Sequence, residues 1–113
     1  MQIHREQIYE DLFDSYFLQL QIVYKFVATT KYNLSEDDAL IYSEQEATKK
    51  ISELDAFVDT LNDHKIHSKR QSMPSHPHYQ VLSSCGRYRV FFTEDAKNQK
   101  LRIFGFKDNK WPK

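Results

Sequence analysis

The stretch at residues 79–107, YQVLSSCGRYRVFFTEDAKNQKLRIFGFK, decides the fold. β-branched and aromatic residues dominate it, and two polar breaks interrupt it, one ending in Cys85-Gly86 and one at residues 94–99. This reads as three strands, 79–84, 87–93 and 100–106. Turns this short join antiparallel neighbours, so the strands form a meander. In the middle strand Tyr88, Val90 and Phe92 fall on one face, and Arg87, Arg89, Phe91 and Thr93 on the other. The first set suits a core, and the second puts two guanidinium groups on the outward face.

Upstream the apolar period changes from two to between three and four. Ile8, Leu12, Tyr16, Leu20, Val23 and Val27 form one stripe over residues 6–30, widened by Tyr9, Phe13, Phe17, Tyr24 and Phe26. The expectation is a helix buried on more than one side. Residues 1–5 are read as a short strand leading into it. A polar turn, Thr29 to Asn33, ends this helix. Ser35, followed by Glu36, Asp37 and Asp38, opens the next, because a serine hydroxyl accepts from free N–H groups and acids suit the positive end of the helix dipole. Its stripe is Leu40, Ala47, Ile51, Leu54, Val58 and Leu61, and it ends near residues 62–64. The expected class is α+β: an N-terminal helical hairpin (about 6–62) packed on a small, mostly antiparallel C-terminal sheet, linked by a basic loop at 63–78, in one domain spanning 1–113.

The composition narrows the function. At 113 residues, with 40% apolar and 14% aromatic residues, two Gly and three Pro, the chain is neither disordered nor long enough for two full cores. One cysteine, Cys85, excludes an internal disulfide and any zinc site built on several thiolates, and Cys85 is read as structural. The apolar runs are too short to span a membrane, and residues 1–6 lack a basic start before an apolar run. A cytoplasmic protein with no membrane partner is expected. The formal net charge of zero hides a split: residues 1–63 hold 5 basic against 13 acidic side chains, and residues 64–113 hold 11 against 3. A basic C-terminal half attracts polyanions or an acidic partner.

Arg87 and Arg89 share a strand face, Arg102 lies in the next strand, Lys107, Lys110 and Trp111 follow it, and Lys65, Lys69 and Arg70 enter the sheet from the loop. Cations and aromatics on a sheet face bind a phosphate backbone and stack bases, and fixed arginines stabilise a phosphoryl transition state. His64 with His67, and His76 with His78, lack companion cysteines or carboxylates at ligand spacing, so neither metal nor cofactor is expected.

Gly86, Tyr88, Arg89, Val90 and Phe91, followed by Phe104-Gly105-Phe106-Lys107, resemble the C-terminal half of RelE/ParE/HigB-type toxins, where a G-x-Y-R-V-aromatic strand precedes a last strand with a basic end. The specific resemblance covers residues 79–107. It implies a toxin of a type II toxin–antitoxin pair, held by a cognate antitoxin. In the RelE and HigB branches it implies an endoribonuclease that cuts mRNA on the ribosome and arrests translation. The ParE branch inhibits DNA gyrase without cutting RNA, and a non-toxic interaction module with the same fold is a third option. Through the resemblance Arg89 would stabilise the phosphate, Lys107 or Lys110 would match the basic residue after the last strand, and Trp111 would replace a C-terminal stacking Tyr. Taken with the charge pattern, the expected catalytic residues are Arg89, Arg87 and Lys107, and the expected RNA-binding ones Lys65, Lys69, Arg70, Arg102, Lys110 and Trp111. Gln80 and Leu82 stand where some of these toxins carry lysines.

Overall fold

Three left-handed residues mark where the chain reverses. Asn33 (φ 53°) follows the first long helix, Gly86 (φ 74°) and Gln99 (φ 54°) sit in the two turns of the meander. The computed structural model describes residues 1–75, 78–83 and 85–110. The chain contains β1 (Gln2–Arg5), α1 (Gln7–Thr30), α2 (Glu36–Asp59), α3 (His64–His67), β2 (Gln71–Ser72), β3 (His78–Leu82), β4 (Tyr88–Asp95) and β5 (Lys100–Asp108). It is an α+β protein. It divides into two compact units, Met1–Leu12 with Ala56–Lys113, and Phe13–Asp55.

The first unit is a five-stranded sheet ordered β1-β5-β4-β3-β2. β1 lies parallel to β5, and the other pairings are antiparallel. The expected three-strand meander is therefore its centre. The segment expected as a basic loop instead contributes α3 and the two-residue edge strand β2. α3 forms because Asp63 caps it, accepting from the backbone N–H of Lys65 at 2.9 Å. Tyr88, Val90 and Phe92 of β4 are buried, as the alternation predicts, with Val81, Leu101 and Ile103 beside them. Tyr9 from the first turn of α1 meets Phe106 edge to face at 5.6 Å, and Val58 and Leu61 complete the core. Arg5 at the end of β1 donates to Asp59 at 2.8 Å.

The second unit is a helical hairpin. α1 ends where Lys31 and Leu34 donate backbone N–H groups to Val27 and Ala28, a closure that the αL conformation of Asn33 permits. α2 starts as expected: the Ser35 hydroxyl accepts from the N–H of Asp38 at 3.2 Å, with three acids in the first turn. Tyr16, Leu20, Ala28, Ala39, Ala47 and Leu54 are buried, and Tyr42 meets Tyr24 and Tyr32 edge to face. The α1 expectation needs correction. Val23 and Phe26 are exposed here, as are Ile8 and Leu12 earlier in the same helix, so α1 is not buried on several sides. Leu40, placed in the α2 stripe, is exposed too, and Ala39 and Ser43 take the inner positions.

Candidate nucleic-acid interface

The outward face of the sheet is read from its register. Directly opposed residues share a face, so Leu82, Arg89 and Lys107 form one row across β3, β4 and β5. Gln80, Phe91 and Gly105 form the next, and His78, Thr93 and Arg102 the one after. A β-bulge lies between the last two rows. Phe91 faces Gly105 while Phe92 faces Ile103, which leaves Phe104 as the extra residue. The bulge turns Phe104 onto the outward face, where it stacks on Phe91 (centroids 6.3 Å, 27°) and meets His78 at 5.0 Å. Gly105 opposes Phe91 and is buried; a Cβ there would stand 3.6 Å from the Phe91 ring and 3.9 Å from Leu12 Cδ1, both ordinary contacts.

Arg89 is half-buried, and its Nη1 donates to Gln80 Oε1 at 3.1 Å. No ion pair to a carboxylate is formed by Arg89 or by its exposed neighbour Lys107 among the described residues. Two like charges directly opposite on one sheet face oppose folding. Among the described residues the pair has no counterion, so both charges can meet an external anion. Gln80, which replaces a cation in the resemblance, holds the Arg89 guanidinium by a neutral acceptor. Lys69 does not join this row: it lines a groove of about 340 Å³ with Ala56, Phe57, Thr60, Ile66, Val81 and Leu82, and Val81 belongs to the buried face of the sheet. The candidate face is therefore Arg89 and Lys107, with Phe91 and Phe104 alongside.

Three expected cations are engaged inside the protein instead. Arg87, assigned a catalytic part, precedes β4 and grips Asp108 through Nε (3.2 Å) and Nη2 (2.9 Å), while lying over the Tyr88 ring. The Asp108 side chain is only 2% exposed, so Arg87 is the counterion of a buried carboxylate. Arg102 donates to both Glu6 (3.1 Å) and Asp95 (3.0 Å), and these bonds raise its pKa. The Asp95 carboxyl is held below its usual range, first by the side chain and backbone N–H of Asn98 and then by Arg102. Acids at this end of the sheet repel a phosphate. Arg70 lies over the Tyr79 ring, and its Nε is 2.6 Å from Glu94 Oε1, a charge contact whose N–H does not point at the oxygen. His67 Nε2 reaches the same oxygen at 2.8 Å, so together they fasten α3 to the sheet.

Lys65 and Lys110 are exposed. Trp111, expected as a stacking platform, lies outside the described residues. Cys85 is exposed in the β3–β4 turn. Its thiol is lowered by the Ser83 hydroxyl (Oγ to Sγ 3.4 Å), the Arg87 backbone N–H and the Lys110 charge, against a smaller opposing desolvation. Among the described residues no three His, Cys, Asp or Glu side chains converge to hold a metal, and no helix is long and apolar enough to cross a membrane. Residue-level reading from sequence missed Phe104, His78 and Gln80 as site residues. The Phe91–Phe104 partnership had no signal in the alternation, because a bulge reverses the face of the residue it inserts. No known protein-family model, curated protein or solved structure matches the chain.

Proposed function

We propose that the chain binds single-stranded RNA on the outward face of its sheet and acts as a RelE/HigB-like toxin of a type II toxin–antitoxin pair. One observation carries this reading: the cross-strand pair Arg89–Lys107, without a carboxylate partner, beside the stacked Phe91–Phe104 rings. A phosphate placed on the two cations brings an adjoining base within reach of the rings, and aromatic stacking tolerates any base because each has a π-face. In the toxin reaction the ribose 2′-hydroxyl attacks the adjacent phosphorus, and the bond to the 5′ oxygen breaks. That leaves a 2′,3′-cyclic phosphate and a 5′-hydroxyl. The extra negative charge gathers on the phosphate oxygens, where Arg89 and Lys107 would meet it. No imidazole or carboxylate stands in the Arg89 row. The part proposed for this face is therefore substrate holding and charge stabilisation.

Induced expression, with mRNA integrity and translation followed together, tests the proposal. Wild type should arrest translation with cleaved messages, and Arg89→Gln with Lys107→Gln should relieve the arrest while the protein stays folded. Intact mRNA with inhibited gyrase would replace this reading by the ParE-like one. No growth defect would leave an interaction module.

A further inference from the structure

The hairpin unit carries a surface that the proposed RNA site does not use. On α1, Leu18 (59% exposed), Ile22 (68%) and Phe26 (66%) follow at intervals of four, with Val23 (39%) beside them. At 100° per residue they form one stripe. Gln19 on this face is neutral. The hydroxyls of Thr29 and Thr30, at its end, bond to carbonyls of the helix itself, Thr30 to Phe26 at 2.7 Å and Thr29 to Lys25 and Phe26 at 3.2 and 3.1 Å. Covering the stripe therefore strands no hydroxyl donor. Large apolar side chains this exposed on successive turns mark an interaction surface.

We propose that this face pairs with the same face of a second copy, antiparallel and centred on Ile22. Charge is the first argument. A two-fold pair sets a surface against its own copy, so an uncharged stripe meets only uncharged positions. The stripe has no charge, whereas α2 displays the exposed Asp37, Asp38 and Glu44. An acidic or basic partner would find no counter-charge on the α1 stripe. Orientation follows from its flanks. In a parallel pair, Lys25 would face Lys25 and Asp14 would face Asp14. In the antiparallel pair facing positions sum to 44, which sets Lys25 against Gln19, Leu18 against Phe26, and Lys31 beside Asp14, and the helix dipoles oppose. Area is the second argument. Four side chains exposed to this degree offer roughly 400 Å² per copy, so the pair with its polar rim removes on the order of 1,000 Å². That is the lower end for a specific interface, where association is weak; area does not fix affinity, and the test is set for dissociation in the range of roughly 10–100 µM.

Sedimentation velocity between about 5 and 300 µM tests this, since the range brackets that affinity. Wild type should pass from monomer to dimer. Ile22→Glu and Ile22→Lys should each remain monomeric with unchanged circular dichroism, because the side chain is exposed, and an equal mixture of the two should associate again. One chain carrying both Leu18→Lys and Phe26→Glu should still dimerise, since opposite charges meet only in the antiparallel register. This last variant also decides the matter if either Ile22 substitution disturbs folding. A wild type that stays monomeric throughout, a dimer indifferent to Ile22→Glu, or a mixture that does not associate would overturn the proposal.

Discussion

Replacing Arg87 by methionine keeps most of the side chain's length and removes its charge. In the native protein Arg87 gives two charge-assisted hydrogen bonds, at 3.2 and 2.9 Å, to an Asp108 carboxylate that is almost wholly buried. The other carboxylate oxygen accepts from the Lys110 backbone N–H at 3.0 Å, and that bond survives the substitution. Removing one member of a buried pair costs about 3–5 kcal/mol, because the remaining charge is left without its counterion. With that donor retained, the lower end applies, about 3 kcal/mol. A domain of this size has a total stability of about 5–15 kcal/mol, so the loss is large. At a urea dependence of about 1.5 kcal/mol per molar, the midpoint should fall by about 2 M. Asp108→Asn in the same background removes the stranded charge, so the double variant should lose less than the sum of the two singles, by about 2 kcal/mol. Equilibrium urea unfolding followed by circular dichroism reads both quantities. A loss below about 0.5 kcal/mol, or strict additivity in the double variant, would refute the assignment of Arg87 as a buried counterion. It would then return as a candidate for the site.

Three further outcomes follow from the turns and the charged sheet end. Gly86→Ala places a Cβ in open space but at φ 74°, so it should cost about 1–2 kcal/mol in urea unfolding from backbone strain alone; a neutral result would contradict the left-handed turn. The Asp95 carboxyl is depressed in the folded state, so its contribution is present above its ordinary pKa of 3.8 and is lost as pH falls through the lower folded value. Asp95→Asn should flatten the acid limb of a stability-against-pH curve, and an unchanged limb would remove Asp95 as a cause. Cys85 should alkylate with an apparent pKa below the ordinary 9.0, and Ser83→Ala should move it up; a profile unmoved by that change would contradict the Ser83 contact.

What the sequence disclosed depended on how locally each feature is encoded. The alternation Tyr88, Val90, Phe92 against Arg89, Phe91, Thr93 is a property of one strand, and the structure follows it. Ser35 with its acids is likewise local and caps α2 as read. α1 was harder because it is apolar around much of its circumference. A stripe through Ile8, Leu12 and Tyr16 scores as well as the buried one through Tyr9, Tyr16 and Leu20, and periodicity alone cannot choose between faces. β2 was invisible, since two polar residues carry no period and their pairing with Tyr79 and Gln80 is long-range. Among the cations the sequence marked the region but not the partners. Arg87 and Arg89 look equivalent two residues apart. Only the fold brings Asp108 to the first and Gln80 to the second, and it likewise supplies Glu94 to Arg70 and Glu6 to Arg102.

The proposed RNA-gripping face is made of Arg89, Lys107 and the Phe91–Phe104 pair. Fluorescence anisotropy of a labelled single-stranded RNA, titrated at several salt concentrations, tests this face. Each phosphate neutralised on a single strand contributes about −0.7 to the slope of log K against log salt, so Arg89→Gln with Lys107→Gln should make that slope shallower by about 1.4. Phe91→Ala should weaken binding by about 1–3 kcal/mol and leave the slope unchanged. Binding whose slope ignores the loss of both cations, or a wild type that does not bind single-stranded RNA, would contradict the claim.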